Sequence, residues 1–257
     1  MPVAPEAPEA ANLAVSAAAT LRQRLASGRY APGQRLSERA LGQELGISRN
    51  TLREAFRLLT QESLLTHAPH RGVSVAVPDA ACVADIYRLR RMIECSALAG
   101  ARAGHPALAD MRRAVQQAMQ HQQTGHWPGV GTSNIEFHRA IVSLADSPRL
   151  NAWFARLLAE LRLAFGLLHD AERLHAPYVQ RNQSILALAE EGRFAAAARQ
   201  LQRYLRQSEQ VLLDVRANPA RPPAAKAATK AQTPETRMDT AIAAIKSRAE
   251  PPLSAHP

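Results

Sequence analysis

The chain has 257 residues, with 32 Lys and Arg against 22 Asp and Glu, which gives a formal charge of +10 and a sequence pI near 10.7. With 46% apolar residues it is long enough for two domains and apolar enough to bury a core in each, so a largely disordered chain is excluded. No run nears the roughly 18 to 20 uncharged apolar residues of a membrane span, and MPVAPEAPEA lacks the basic-then-apolar pattern of a secretory leader, so the expectation is a cytoplasmic protein with no membrane partner.

Residues 1–11 carry two Glu and three Pro, and residues 217–257 hold seven Pro and all three lysines, Lys226, Lys230 and Lys246; both pieces are expected to be disordered ends. Residues 12–77 hold nine Arg against four Glu, half of the net charge in a quarter of the chain. A helix over residues 13–26 should end at Gly28, and YAPGQRLS then reads as a loop punctuated by Pro32 and Gly33. Ser37 is a plausible N-cap for SERALGQELG, and Gly46 sits where a helix stops in the left-handed region. Ser48 can cap RNTLREAFRLLTQES in turn. Two short helices around a glycine-containing turn form a helix-turn-helix pattern. On the second of them Leu52, Phe56 and Leu59 should face inward, while Arg49, Arg53 and Arg57 repeat every four residues on another face, with Asn50 at the end that would enter a major groove. LLTHAPHRGVSVAV reads as two short strands around a turn, with Val73, Val75 and Val77 alternating after His70, Arg71 and Gly72. Helix, helix-turn-helix and hairpin together make a winged helix over residues 12–78. Guanidinium groups there can pair with phosphates or bidentately with guanine, and Asn with adenine or a phosphate.

The stretch ASGRYAPGQRLSERALGQELGISRNTLREAFRLLTQESLLTHAPHRGVSVAV resembles the DNA-binding domain of the GntR family of bacterial transcription regulators, in its PG loop, its RLSE, its SRNTLREA and its RG wing. The resemblance implies that Arg39, Arg49 and Arg53 contact operator bases or phosphates. It implies that Ser48, Asn50 and Thr51 lie at the backbone or a base edge, and that Arg71 and Gly72 form the wing tip. Asn50 stands where many members have Thr, so operator identity does not transfer.

Residues 80–216 show no alternating strand but six amphipathic stretches, near 80–103, 106–123, 132–145, 148–169, 175–191 and 194–215. Their boundaries are drawn at His105-Pro106, at a Gly-Pro-Gly loop around residues 127–131, at Ser147-Pro148, at Pro177 and at Gly192. The expected fold class is therefore mainly α, a winged helix-turn-helix followed by a six-helix antiparallel bundle able to enclose a small-molecule pocket. Cys82 and Cys95 share one helix, where thirteen steps of about 1.5 Å hold them apart as free thiols. No nucleophile elbow, phosphate-binding loop, dinucleotide fingerprint or HExxH metal motif is present, so the chain reads as a non-enzyme with no catalytic residues.

NIEFHRAI places Asn134 and His138 on one helix face. This stretch, together with RLRRMIECSALAGARA and NQSILALAEEGRFAAAARQLQRYL, resembles the FCD effector domain of the FadR subfamily of GntR regulators. In most such domains an Asp and three His bind a divalent metal. Here His138 is retained, but Asn134, Asn182 and Tyr204 stand at the other three positions. One imidazole, two neutral amides and a phenol make a poor site for a first-row ion, so no metal cofactor is expected; rescue by His169, His175 or Glu136 is the weaker alternative. Instead Arg90, Asn134, His138, Asn182 and Tyr204 are expected to hydrogen-bond an effector directly, with Arg90 toward an anionic group. The resemblance implies a homodimeric, ligand-responsive repressor on a palindromic operator, with a polar metabolite such as an organic acid as ligand. The alternatives are a constitutive DNA-binding dimer with no ligand and an enzyme tethered to DNA.

Overall fold

The structure is a computed structural model and describes residues 7–68, 71–167 and 171–217. Helix α1 spans Ala7–Ala26, and its Ala14, Ala17, Ala18, Leu21 and Leu25 recur at helical spacing and are buried. It begins inside the segment expected to be unfolded. Gly28, at φ 79°, turns the chain out of it. The Ser37 hydroxyl caps α2, Glu38–Leu45, by accepting from the Ala40 amide at 3.2 Å, and Gly46 ends that helix in the left-handed region at φ 65°. Ser48 does the same for α3, Arg49–Gln61, accepting from the Thr51 amide at 3.1 Å. Leu52, Phe56 and Leu59 of α3 are buried as their spacing predicts.

Strands β1, Leu65–Ala68, and β2, Gly72–Val75, pair antiparallel, with Leu65 opposite Val75 and Ala68 opposite Gly72. Val73 and Val75 point into the core. Val77 does not: the strand ends at Val75, and Val77 is half exposed in the linker that follows. The segment expected as a plain loop adds a third backbone to the wing, since Leu36 N donates to Val73 O and Val75 N to Gln34 O, at 3.0 and 2.9 Å.

The bundle comprises α4, Ala80–Ala99; α5, Ala107–Gln123; α6, Trp127–Ser143; α7, Pro148–Phe165; α8, Ala171–Glu190; and α9, Phe194–Ala217. Helices α4 and α7 each end about four residues before their expected ends, and two helix starts differ from expectation. The Gly-Pro-Gly stretch is the first turn of α6, where Pro128 sits at a position whose N–H has no helical partner to lose. Pro177 lies inside α8 and does not start it; the buried His175, Tyr178, Val179 and Asn182 around it hold the helix across the lost hydrogen bond. Of the tail expected beyond residue 216, only Ala217 is described, as the end of α9.

Helix α7 belongs to two cores. Its Leu157, Leu158, Leu161 and Phe165 pack with the bundle, while Ala159 and Leu163 pack with Ala17, Ala18, Leu21 and Leu25 of the winged helix. Polar contacts also converge on α7: Glu62 binds Arg22 at 2.6 and 2.7 Å with Arg156 of α7 at 3.7 Å across the seam, and within the bundle the Cys82 thiol donates to Glu160 of α7 at 3.0 Å. Among the described residues no helix is long and apolar enough to cross a membrane.

Candidate DNA-reading face and effector site

The start of α3 and the wing present the basic face. Arg39, Ser48, Arg49, Asn50, Arg53, Arg71 and Gly72 are all exposed. Among the described residues Arg39, Arg49 and Arg71 make no ion pair, which leaves their guanidinium groups available to a polyanion. Arg53 is held by Glu38 at 3.0 Å, and Arg57 by Glu54 at 2.6 Å; the Glu54 hydrogen bond raises the Arg57 pKa above its ordinary value. Thr51 is placed differently from its neighbours. Its side chain is buried, with its hydroxyl 2.8 Å from that of Ser48, so it fixes the start of α3. Gly72, at φ 76°, has open space where a side chain would be and lets the wing tip approach a backbone closely. Arg35 braces that tip by donating to the Arg71 carbonyl.

All five residues expected around an effector converge inside the bundle. Arg90 and Glu94 lie one turn apart on α4 and pair at 2.7 Å; Glu94 Oε2 is 2.5 Å from His138 Nδ1 of α6, and His138 Nε2 is 2.9 Å from the Tyr204 hydroxyl of α9. Asn182 of α8 donates to Asn134 Oδ1 at 2.7 Å. Burial works against the Glu94 charge, but Arg90 and His138 beside it hold its carboxyl below the usual range. Burial lowers the pKa of His138, so the ring is neutral, with its proton on Nδ1 toward the carboxylate and Nε2 bare. The single proton of Tyr204 then goes to Nε2; Asn134 Oδ1, farther off at 3.3 Å, is served by Asn182.

Sequence reasoning left out Glu94, Tyr87, Tyr178 and Ser208. Ser208 takes both the Tyr87 and Tyr178 hydroxyls, at 2.6 and 3.0 Å, and the Arg90 guanidinium lies 5.0 Å from the Tyr87 ring centre. The signal for Glu94 was its place four residues after Arg90, and for Ser208 its place four after Tyr204. Among the described residues, two buried atoms of the set have no hydrogen-bond partner: Arg90 Nη2 and Asn182 Oδ1.

The donor set does not fit a divalent metal. Burial raises the Tyr204 pKa well above that of a free phenol, so the phenol keeps its proton and directs it at the one retained imidazole nitrogen. The set was expected to lack negative charge. Glu94 supplies one, but on the far side of the ring and already shared with Arg90. Glu136 lies outside, against Arg139 at 3.3 Å; His175 neighbours the cationic Arg162; His169 falls outside the described residues.

The model of the bacterial regulatory proteins of the gntR family matches residues 13–75, and that of the FCD domain matches residues 85–207. The chain is 29% identical over 171 residues to the Nta operon transcriptional regulator of Aminobacter aminovorans, covering 65% of this chain and 80% of that protein. It is 26% identical over 153 residues to the transcriptional regulator McbR of Escherichia coli, covering 59% and 69%. Among solved structures, a GntR transcriptional regulator from Rhodococcus sp. RHA1 superposes with a TM-score of 0.74 at 36% identity, covering 78% of this chain and 97% of that one. The E. coli McbR structure shares the fold, with a TM-score of 0.69 at 22% identity over 79% of this chain and 97% of that one. With an arginine-bearing winged helix in front of a bundle that buries Arg90, Asn134, His138, Asn182 and Tyr204 together, the chain belongs to the GntR family, as a DNA-binding transcriptional regulator carrying a ligand-sensing FCD domain.

Proposed function

We propose that the protein binds a palindromic operator as a homodimer, one winged helix to each half-site, and that an organic acid bound inside the bundle releases repression. The observation that carries the ligand assignment is the pair of unpartnered buried atoms, Arg90 Nη2 and Asn182 Oδ1. A carboxylate oxygen accepts from the first, and a hydroxyl or N–H of the same small molecule donates to the second. Each atom left unmatched costs about 1–3 kcal/mol, so a ligand that matches both gains affinity from the mismatch. Because α7 carries both cores, a rearrangement of the bundle reaches the winged helix through Ala159 and Leu163.

On this reading Arg39, Arg49, Asn50, Arg53, Arg71 and Gly72 form the operator face, and Arg90, Asn134, His138, Asn182 and Tyr204 line the effector site. The test is a thermal-shift screen of carboxylic acids, sugar acids and acyl thioesters, followed by operator binding with each hit. Hits that weaken operator binding and vanish in Arg90→Gln are expected. A second reading is supported by the internal pairing of His138 with Tyr204 and of Asn134 with Asn182, which suits a locked polar network in a constitutive dimer. A screen that returns no hit, with operator affinity indifferent to every compound, selects that reading.

A further inference from the structure

The inward polar groups continue beyond Asn134 and Asn182. On α6, Gly131, Asn134 and His138 share one face, and on α8 so do His175, Tyr178 and Asn182. Toward the helix starts, α6 therefore offers Gly131 and α8 offers His175, and Arg162 of α7 reaches into the same space. A Cβ on Gly131 would collide with Arg162 Nη1 and stand 2.7 Å from His175 Nε2, so both side chains lie against bare backbone. The same guanidinium lies beside the Gly28 turn of the winged helix, since a Cβ on Gly28 would stand 3.4 Å from Arg162 Nη2.

A guanidinium and an imidazole cannot neutralise each other. Burial lowers the Arg162 pKa, and burial first, then Arg162, brings His175 down to about 4. His175 is only 5% exposed, and among the described residues its Nδ1 has no hydrogen-bond partner. Holding a cation and an unmatched ring nitrogen together inside a protein costs free energy unless something of opposite charge joins them. An oxyanion does so: it accepts from the guanidinium and from an imidazole N–H, and its charge favours protonation of the ring.

We propose that Arg162 and His175, against the bare backbone of Gly131, form an oxyanion subsite that takes a carboxylate or phosphate group of the effector beside the Gly28 turn of the DNA-binding domain. The proposal rests on the bundle being the effector domain and adds a second anchoring point, distinct from Arg90. It implies an effector with two acidic groups, or one acidic and one phosphoryl group.

Histidine NMR on the full-length protein tests this, with His175→Gln identifying the resonance and succinate, acetate and inorganic phosphate as millimolar probes. With at least one probe the His175 titration midpoint is expected to rise by about one pH unit or more, as an opposite charge settles beside the ring. The rise should persist in Arg162→Lys and disappear in Arg162→Gln and Gly131→Ala. A response to the carboxylates alone identifies a carboxylic acid group, and a response to phosphate alone a phosphoryl group. A midpoint unmoved by all three probes overturns the subsite, as does an equal rise in Arg162→Gln. Thermal-shift hits that depend on Arg90 while His175 stays unmoved refute the subsite and leave the effector reading intact.

Discussion

At the centre of the bundle one carboxylate serves two nitrogen groups: Glu94 accepts from Arg90 at 2.7 Å and from His138 at 2.5 Å. Removing it strands a buried guanidinium, so Glu94→Ala should lose about 3–5 kcal/mol in chemical denaturation, whereas substitution of the exposed, solvent-screened Glu54 should cost far less. The pH dependence follows from the same groups. Glu94 is depressed in the folded state, so its contribution is complete above its ordinary range near 4.5 and is lost as pH falls through its folded value. His138 and His175 are depressed by burial, which favours the neutral rings; the stability tied to them is complete above about 6.5 and drains away as pH falls, for His175 down to about 4. All three effects have one sign. Stability should therefore fall steadily from pH 7 to pH 4, and His175→Gln should remove about 3 kcal/mol of that fall. The thiols complete the residue scale. Burial, then the Glu160 carboxylate, raises Cys82 to about 12, and burial raises Cys95 to about 11, so both should resist alkylation at pH 8 and react on unfolding.

Elements were legible where local chemistry decides them. Ser37, Gly46 and Ser48 mark helix ends because a hydroxyl or a missing Cβ satisfies terminal backbone groups within three residues, and no distant partner is needed. Ser48→Ala should accordingly cost about 1 kcal/mol of thermal or denaturant stability. The start of α6 was misread because its glycines answer to side chains beyond their own helix turn: Gly129 faces His121 and His126 just before it, and Gly131 faces the distant Arg162 and His175. Short-range rules treat such glycines as breakers; the packing uses them as clearances. Pro177 misled in the same way, since burial on both sides of it outweighs the lost backbone bond. The double role of α7 had no sequence signal either, because Leu157 and Leu163 look alike until two cores claim them separately. Leu163→Ala should cost about 2–5 kcal/mol. It should also weaken the response of operator binding to effector, because it loosens the winged helix from α7; an unchanged response would show that the seam transmits nothing.

Across the whole molecule, the family and the order of its two parts were legible because both rest on motifs with fixed spacing, SRNTLREA in one and NIEFHRAI in the other. The buried polar residues of the bundle were legible as positions but not as a network. The convergence of Arg90, Asn134, His138, Asn182 and Tyr204 depends on four helices meeting, and the bond from Glu94 to His138 forms across the gap from α4 to α6. On the DNA side, Arg49→Ala should reduce specific operator affinity by about 1–3 kcal/mol for a lost base contact while the bundle stays folded. Arg53→Ala frees Glu38, whose unpaired carboxylate would add repulsion from the phosphates. Operator affinity, measured by fluorescence anisotropy with and without a carboxylate identified by thermal shift, tests the central claim most directly. The account predicts a change of at least about tenfold in Kd, abolished in Arg90→Gln with DNA binding otherwise intact; the same Kd with and without ligand in the unmodified protein would contradict it.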